Sequence, residues 1–262
     1  MDTANNTENR LSFGTLLSVY FRSFFLQGSF STRYRQNVGF AFCIEPVCNE
    51  LWTDPESKRN FIARHTEYFN GNPFMATLIL GAVANMEVSL RYDKGTTERD
   101  IQRFKKVAGP ATGSVGDRFF WSNLRPFGII LGLLSALFFG LWGTVVFLAV
   151  FNIPMLVMKW NWLMEGYRLG PNVVSRIKSP KLESAERIME IGGSVLIAFF
   201  SVIVIFDFTG AVNSLNWILV STAGLFIFSF IMLKKHLPIH KLFPLAILAS
   251  VLLCLVMNKI IL

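Results

Sequence analysis

Charge is what this sequence is short of. Only 16% of its 262 residues are Asp, Glu, Lys or Arg, against about a quarter in a soluble domain. The deficit lies after Pro126, where long apolar runs dominate, while charges are spread through the first 126 residues. A wholly soluble fold is therefore excluded, and two regions are expected. Residues 1–126 read as an amphipathic helical region, mostly cytoplasmic or interfacial, with a possible re-entrant segment. Residues 127–262 read as a membrane domain.

Cysteine and histidine are also scarce. Cys43, Cys48 and Cys254 are odd in number and match neither zinc nor redox spacing, so they read as small buried hydrophobes. His236 and His240 are four apart, but Pro238 between them argues against a regular helix, and a membrane-edge role suits them better than a metal site. The segment Gly109–Gly116 is glycine-rich yet lacks the lysine and Ser/Thr of a phosphate-cradling loop; it reads as a tight turn that orients Asp117. No nucleophile–base pair stands out either, so neither an enzyme nor a cofactor is implied. The stretch Met1–Arg10 is polar and does not read as a secretory signal. Acidic residues are outnumbered, giving a net charge of +8. The basic residues lie between apolar runs, which points to the lipid bilayer rather than nucleic acid.

What is present is helical patterning. Residues Leu11–Phe30 carry Phe13, Leu17, Tyr20, Phe21, Phe24 and Phe25 at helical spacing, which suits either an interfacial helix or one packed on its own protein. A second helix over Tyr34–Ile44 is expected to end near Glu45–Pro46. Asp54 and Pro55 should start a third, with Phe61, Ile62, His65 and Phe69 on one face. After the breaker Asn70-Gly71-Asn72-Pro73, the apolar stretch Phe74–Met86 is too short to span, since a span takes about 20 residues. It is expected to be buried or re-entrant. A basic helix over Glu98–Lys106 precedes the turn-rich Gly109–Asp117.

Four hydrophobic regions follow: Phe127–Met158, Ile188–Phe208, Trp217–Leu233 and Leu242–Leu262. The stretch Lys159–Arg187 reads as a basic loop carrying six Lys or Arg, and Lys234–Lys241 carries Lys234, Lys235 and Lys241, whereas Thr209–Asn216 carries none. These basic segments all fall on the cytoplasmic side only if Phe127–Met158 is a hairpin broken at Gly140–Gly143. That arrangement places Leu262 outside. Each arm would be about 15 residues, or about 22 Å, which is short for a span. Gly128 and Gly132 are spaced for close helix contact. The expected fold class is all-α: an integral membrane protein with N-terminal amphipathic helices, a glycine-broken hydrophobic hairpin and about three further transmembrane helices.

Several segments also resemble a known family. The runs Leu26-Gln27 and Tyr34–Phe40, then Pro46, are similar to the N-terminal signature of the IID subunits of mannose/fructose/sorbose phosphotransferase permeases. Arg64–Met75, with Ile79-Leu80-Gly81 and Glu87, resembles the next motif of that family. Gly109–Gly113, Gly116–Trp121 and Leu124-Arg125-Pro126 resemble its central motif, and Phe151-Asn152, Gly166-Tyr167 and Gly170 continue the pattern. Gly71 stands where Thr is usual, Arg118 where Ser is usual, and Glu87 is single where a pair is expected.

The resemblance implies a multi-pass subunit of the bacterial inner (cytoplasmic) membrane. Such a subunit would form, with a IIC partner, the channel for a mannose-type hexose that IIB phosphorylates after being loaded by IIA. Phosphohistidine chemistry would then lie on IIA and IIB, and His65, on an apolar helical face, would be structural. The alternative is a degenerate IID-like scaffold or regulatory protein without transport, a reading prompted by Gly71 and Arg118. Sugar recognition needs amides, carboxylates and aromatic faces. The candidate residues for the substrate pathway or a subunit interface are Asn70, Asn72, Glu87, Asp117, Asn123 and Arg125. The plainer role for Asn70 and Asn72 is capping helix ends, and for Asp117 it is pairing with Arg125.

Overall fold

A computed structural model describes residues 10–209. It divides the chain into two compact units, residues 1–191 and 192–262. The regions Trp217–Leu233 and Leu242–Leu262, the loop Lys234–Lys241, Cys254 and the two distal histidines lie outside the described residues. Eight α-helices are found among those residues, and no β-strand.

Helix α1 (Phe13–Arg22) starts at Ser12, whose hydroxyl accepts from the Thr15 N–H at 3.2 Å. It turns Leu16 and Val19 inward and leaves Phe13 and Phe21 exposed. The amphipathic stretch ends sooner than its pattern predicts, in a single 3₁₀ turn at Ser23–Phe25.

Helix α2 (Asn37–Leu51) does not stop at Pro46 but runs through it. A proline frees the carbonyl four residues back, here that of Phe42. The Arg22 guanidinium donates to that carbonyl at 3.1 Å and also pairs with Glu45, so α1 repairs the gap in α2.

Helix α3 (Pro55–His65) begins as expected, with the Asp54 carboxylate accepting from the Ser57 N–H at 2.7 Å. Its expected face is corrected in two places: Ile62 is exposed, with Arg64 buried beside Phe61 and His65, and Phe69, though buried, lies beyond the end of the helix.

Helix α4 (Ala76–Arg91) is the centre of the unit. Twelve of its 16 residues are buried, so it is a core helix wrapped on every side. Its main neighbour is α7 (Trp142–Leu169), and the two cross without side chains between them. A Cβ on Gly81 would lie 2.1 Å from the Leu163 carbonyl oxygen, and one on Gly166 would lie 2.1 Å from that of Leu78. The Asn85 amide donates to the Tyr167 carbonyl at 2.8 Å beside this crossing.

The largest departure from the sequence reading is at Gly109–Asp117. There is no turn. Helix α5 (Glu98–Gly116), opened by a capping box between Thr97 and Asp100, continues through Pro110. It passes into a π-helical segment, Asp117–Leu124, and then into α6 (Arg125–Phe139). The Asn123 amide donates to the Arg118 carbonyl five residues back at 3.0 Å, matching the wider π turn.

The hairpin itself is present. Helix α6 ends at Gly140, with φ of 59°, and α7 returns antiparallel to it. Gly132 provides the close approach, since a Cβ there would meet that of Phe147 at 2.8 Å; at Gly128 the nearest atoms are 3.5 Å away, an ordinary distance. Each arm belongs to a helix longer than its apolar run. The continuous helices Glu98–Phe139 and Trp142–Arg176 are each long and apolar enough to cross a membrane. The expected basic loop Lys159–Arg187 is likewise mostly helical: α7 runs to Leu169, a 3₁₀ segment covers Gly170–Arg176, and α8 spans Pro180–Thr209.

Candidate functional site

The glycines of α5 make room for a neighbouring loop. Residues Asn70–Pro73 lie directly on that helix. A Cβ on Gly109 would fall 2.8 Å from the Asn70 carbonyl oxygen, and one on Gly116 would fall 2.5 Å from the Asn72 side chain. The two best-marked sequence motifs are therefore one structural unit, with glycines as the surface on which the loop rests.

Asn72 organises this unit. It is 1% exposed. Its Oδ1 accepts from the N–H groups of Phe74 and Met75 at 3.0 and 3.2 Å, which starts the chain into α4. Its Nδ2 donates to Asp117 Oδ1 at 2.9 Å. The capping role and the link to the second motif thus belong to one amide.

Asp117 and Arg125 do not pair. Both are exposed, Asp117 is bonded to Asn72, and the Arg125 guanidinium lies 5.6 Å from the centre of the Trp121 ring. Asn70 is exposed and meets α5 through its backbone. Asn123 is buried within the π segment.

Aromatic rings adjoin the loop. Phe74 packs at 4.6 Å on Phe120, 5.5 Å on Trp121 and 5.9 Å on Phe151. Trp121 remains 40% exposed. An exposed carboxylate and an exposed indole face therefore flank one loop, and these are groups that read sugar hydroxyls and pyranose faces.

Two clamps on this loop were missed from sequence. The buried Gln36 side chain donates to the Gly71 carbonyl at 3.0 Å and accepts from the Gly71 N–H at 3.1 Å. Its signal was its place in the N-terminal motif. Lys159, read as a loop cation, is 2% exposed on α7. Its ammonium donates to the carbonyls of Ser23 and Pro73 at 3.3 and 3.4 Å and lies over the Phe24 ring. Only its position at the end of an apolar run hinted at burial.

Glu87 belongs to a separate network and is itself fully buried. Arg64 grips it at 2.7 and 2.5 Å, and Arg64 also reaches Glu98 at 3.1 Å. His65 Nε2 lies 2.9 Å from Glu87 Oε1, while its Nδ1 has no partner. With Glu87 ionised against Arg64, Nε2 must carry the proton it donates. Nδ1, buried without a partner for a proton, is then the bare nitrogen, and His65 is the neutral Nε2–H tautomer. Lys105 completes the cluster by donating to the carbonyls of Arg64 and His65 at 3.1 and 3.4 Å. Together these groups fasten the end of α3 to α4 and α5. Among the described residues, no three His, Cys, Asp or Glu side chains gather as for a metal ion.

Burial pushes the His65 imidazole down to about 4, against the hydrogen bond to Glu87 that raises it. An unfolded histidine titrates near 6.5, so between these values the unfolded chain holds more protons and stability rises with pH. Acidifying from pH 7 to 4.5 is expected to remove roughly 2–3 kcal/mol through this group, at about 1.4 kcal/mol per unit. His65→Gln retains an N–H for Glu87 and should flatten the dependence. Thermal melts of both proteins at the two pH values check this; equal acid loss in the two would place the titration elsewhere.

The profile of the mannose/fructose/sorbose family IID component of the phosphotransferase system (PTS) matches residues 10–259. The chain is 32% identical over 178 residues to the fructose permease IID component of Bacillus subtilis (strain 168), covering 67% of this chain and 64% of that one. It is 32% identical over 174 residues to the mannose-specific EIID component of Escherichia coli (strain K12), covering 66% and 61%. These matches span a little under two thirds of each relative's length. A chain in the cryo-EM structure of the mannose transporter ManYZ with microcin E492 (MceA) superposes with a TM-score of 0.60 at 28% identity, over 72% of this chain and 69% of that one.

Proposed function

The chain belongs to the mannose/fructose/sorbose family of phosphotransferase-system IID components, and from that premise we propose that it is the IID subunit of a sugar permease in the bacterial inner membrane. In this reading it forms, with a IIC subunit, the path along which a mannose-type hexose crosses. IIB phosphorylates the sugar and IIA supplies IIB. Phosphoryl transfer then lies outside this chain, in keeping with a His65 that is fully buried and held as a hydrogen-bond donor.

The observation that carries the proposal is the union of the two motifs at Asn72 and Asp117, with Trp121 exposed alongside. The π segment, braced through Asn72 by a loop that Gln36, Lys159 and the glycines of α5 fix, presents Asp117 and Trp121 at a surface, where a sugar or the IIC partner can meet them. The departures that prompted the scaffold reading are fitted to their surroundings. A Cβ on Gly71 would crowd Thr112 Oγ1 at 3.1 Å and the Gly109 carbonyl at 3.2 Å. Arg118 has a partner in Glu186 at 2.8 Å. Neither looks like decay.

Hexose uptake in a strain lacking its own IID subunit tests this. The wild-type chain, expressed with its cognate partners, should restore uptake, and its failure to do so would leave the scaffold reading in place. Asn72→Ala removes a helix cap and the bond to Asp117, changes worth about 1–3 kcal/mol, and should lower uptake at least about tenfold. Asp117→Ala should also lose uptake, and Asp117→Asn should lose less because it can still bond the Asn72 amide. Normal uptake by Asp117→Ala at normal expression would remove Asp117 from the site.

A further inference from the structure

One large cleft is unused by this reading. It has a volume of about 990 Å³ and is lined by Arg10, Asn85, Lys94, Asn161, Glu165 and Arg168, with Tyr167 at its wall. Three cations face one carboxylate. Among the described residues, none of the three cations takes part in an ion pair. Surface cations are usually just solvated, but these three come from separate segments, and the backbone holds each in place. Arg10 precedes Leu11, which is buried and whose N–H donates to the Tyr167 hydroxyl at 2.8 Å. Lys94 follows Asp93, which has φ of 52°, and its N–H donates to the Ser89 carbonyl at 2.9 Å. Arg168 sits in the last turn of α7, ended by Gly170 with φ of 55°.

The level of the cleft is informative. The apolar run of α7 extends to Met158, and the cleft begins at Asn161, on the following turn. Trp160, Trp162 and Tyr167 occupy that same stretch, as aromatic residues do at a membrane–water interface. Basic pockets between helices at this level suit anionic headgroups. Arginine forks suit phosphate oxygens, and the amides of Asn85 and Asn161 with the Glu165 carboxylate suit hydroxyls.

The geometry points to a binding site for a phosphate ester whose alcohol carries free hydroxyls, as in the glycerol headgroup of an anionic phospholipid or in a soluble sugar phosphate. The interfacial level of the cleft favours the lipid. The assignment rests on α7 spanning the membrane and not on transport, so uptake is not its readout.

The test uses the full chain purified in a mild detergent. Retention of phosphatidylglycerol and of phosphatidylcholine is measured by native mass spectrometry, with and without millimolar glucose 6-phosphate. Phosphatidylglycerol is expected to be retained at least about tenfold better: both lipids carry the phosphate, but the choline cation of phosphatidylcholine is repelled by the three cations of the cleft and offers no hydroxyl to Asn85, Asn161 and Glu165. Displacement by glucose 6-phosphate would assign the site to a soluble ester, and lack of displacement to the lipid. The double variant Arg10→Gln/Arg168→Gln should lose the preference. Arg103→Gln/Lys106→Gln, which removes the same charge from exposed positions on α5, should keep it. Glu165→Gln should hold the ligand as tightly or more tightly, and it decides the matter if the double variant does not fold. Equal retention of both lipids with no effect of glucose 6-phosphate, equal loss in the α5 variant, or loss in Glu165→Gln would overturn the assignment.

Discussion

Gly166→Leu is expected to abolish the folded protein. The Cβ alone would stand 2.1 Å from the Leu78 carbonyl oxygen and 2.9 Å from the Ala82 nitrogen. Both atoms are backbone, so no side chain can rotate away. Helices α4 and α7 would have to separate, and α4 is the core of the unit. Overpacking in a well-packed core costs about 1–3 kcal/mol for side-chain repacking, and more where backbone must move. That compares with a total stability of about 5–15 kcal/mol. Gly166→Ala should already lower the melting temperature markedly, and Gly81→Ala should do the same from the other side of the crossing. Gly14→Ala is the control: on the exposed side of α1 only Ser12 Oγ, at 3.9 Å, is near, and a helical Gly→Ala change is neutral or stabilising. Size-exclusion profiles and thermal melts in detergent read the outcome. A Gly166→Leu protein that elutes and melts like the wild type would mean that α4 and α7 do not cross as described.

The second large effect is expected at Glu87. Glu87→Ala leaves the Arg64 guanidinium buried with only Glu98, which is half exposed, and leaves His65 without its acceptor. Breaking a buried pair by removing one partner costs about 3–5 kcal/mol, largely through the charge left behind. Because that penalty belongs to the stranded charge, Arg64→Leu/Glu87→Leu should recover a large part of the loss. The double variant removes both ions and keeps the volume apolar. The remaining deficit should be about 1–3 kcal/mol, the expense of the unsatisfied His65 N–H. Melting temperatures of the single and double variants form the cycle. Additive losses, with no recovery in the double variant, would show that Glu87 is not engaged with Arg64 in the folded protein.

The sequence made much of this chain legible on its own. The shortage of charge after Pro126, the apolar runs and the glycine break at Gly140 are local properties, and they determined an all-α membrane protein with a hairpin. Asp54 and Pro55 determined the start of α3, because an N-cap is set by residues within one turn. The motif around Asn72 and the one around Asp117 were also recognisable as segments. Tertiary structure alone decided what those segments do. Gly109–Gly116 reads as a turn by composition, yet it is helix, because a neighbouring loop, not a chain reversal, requires the missing side chains. Pro46 reads as a stop, yet α2 continues, because Arg22 from another helix satisfies the carbonyl that the proline frees. Lys159 reads as solvated, yet it is buried against carbonyls 86 and 136 residues away in sequence. In each case the deciding partner lies far along the chain. Periodicity and capping act over one or two turns and carry no information about which distant backbone group will arrive to complete a hydrogen bond or fill the space a glycine leaves.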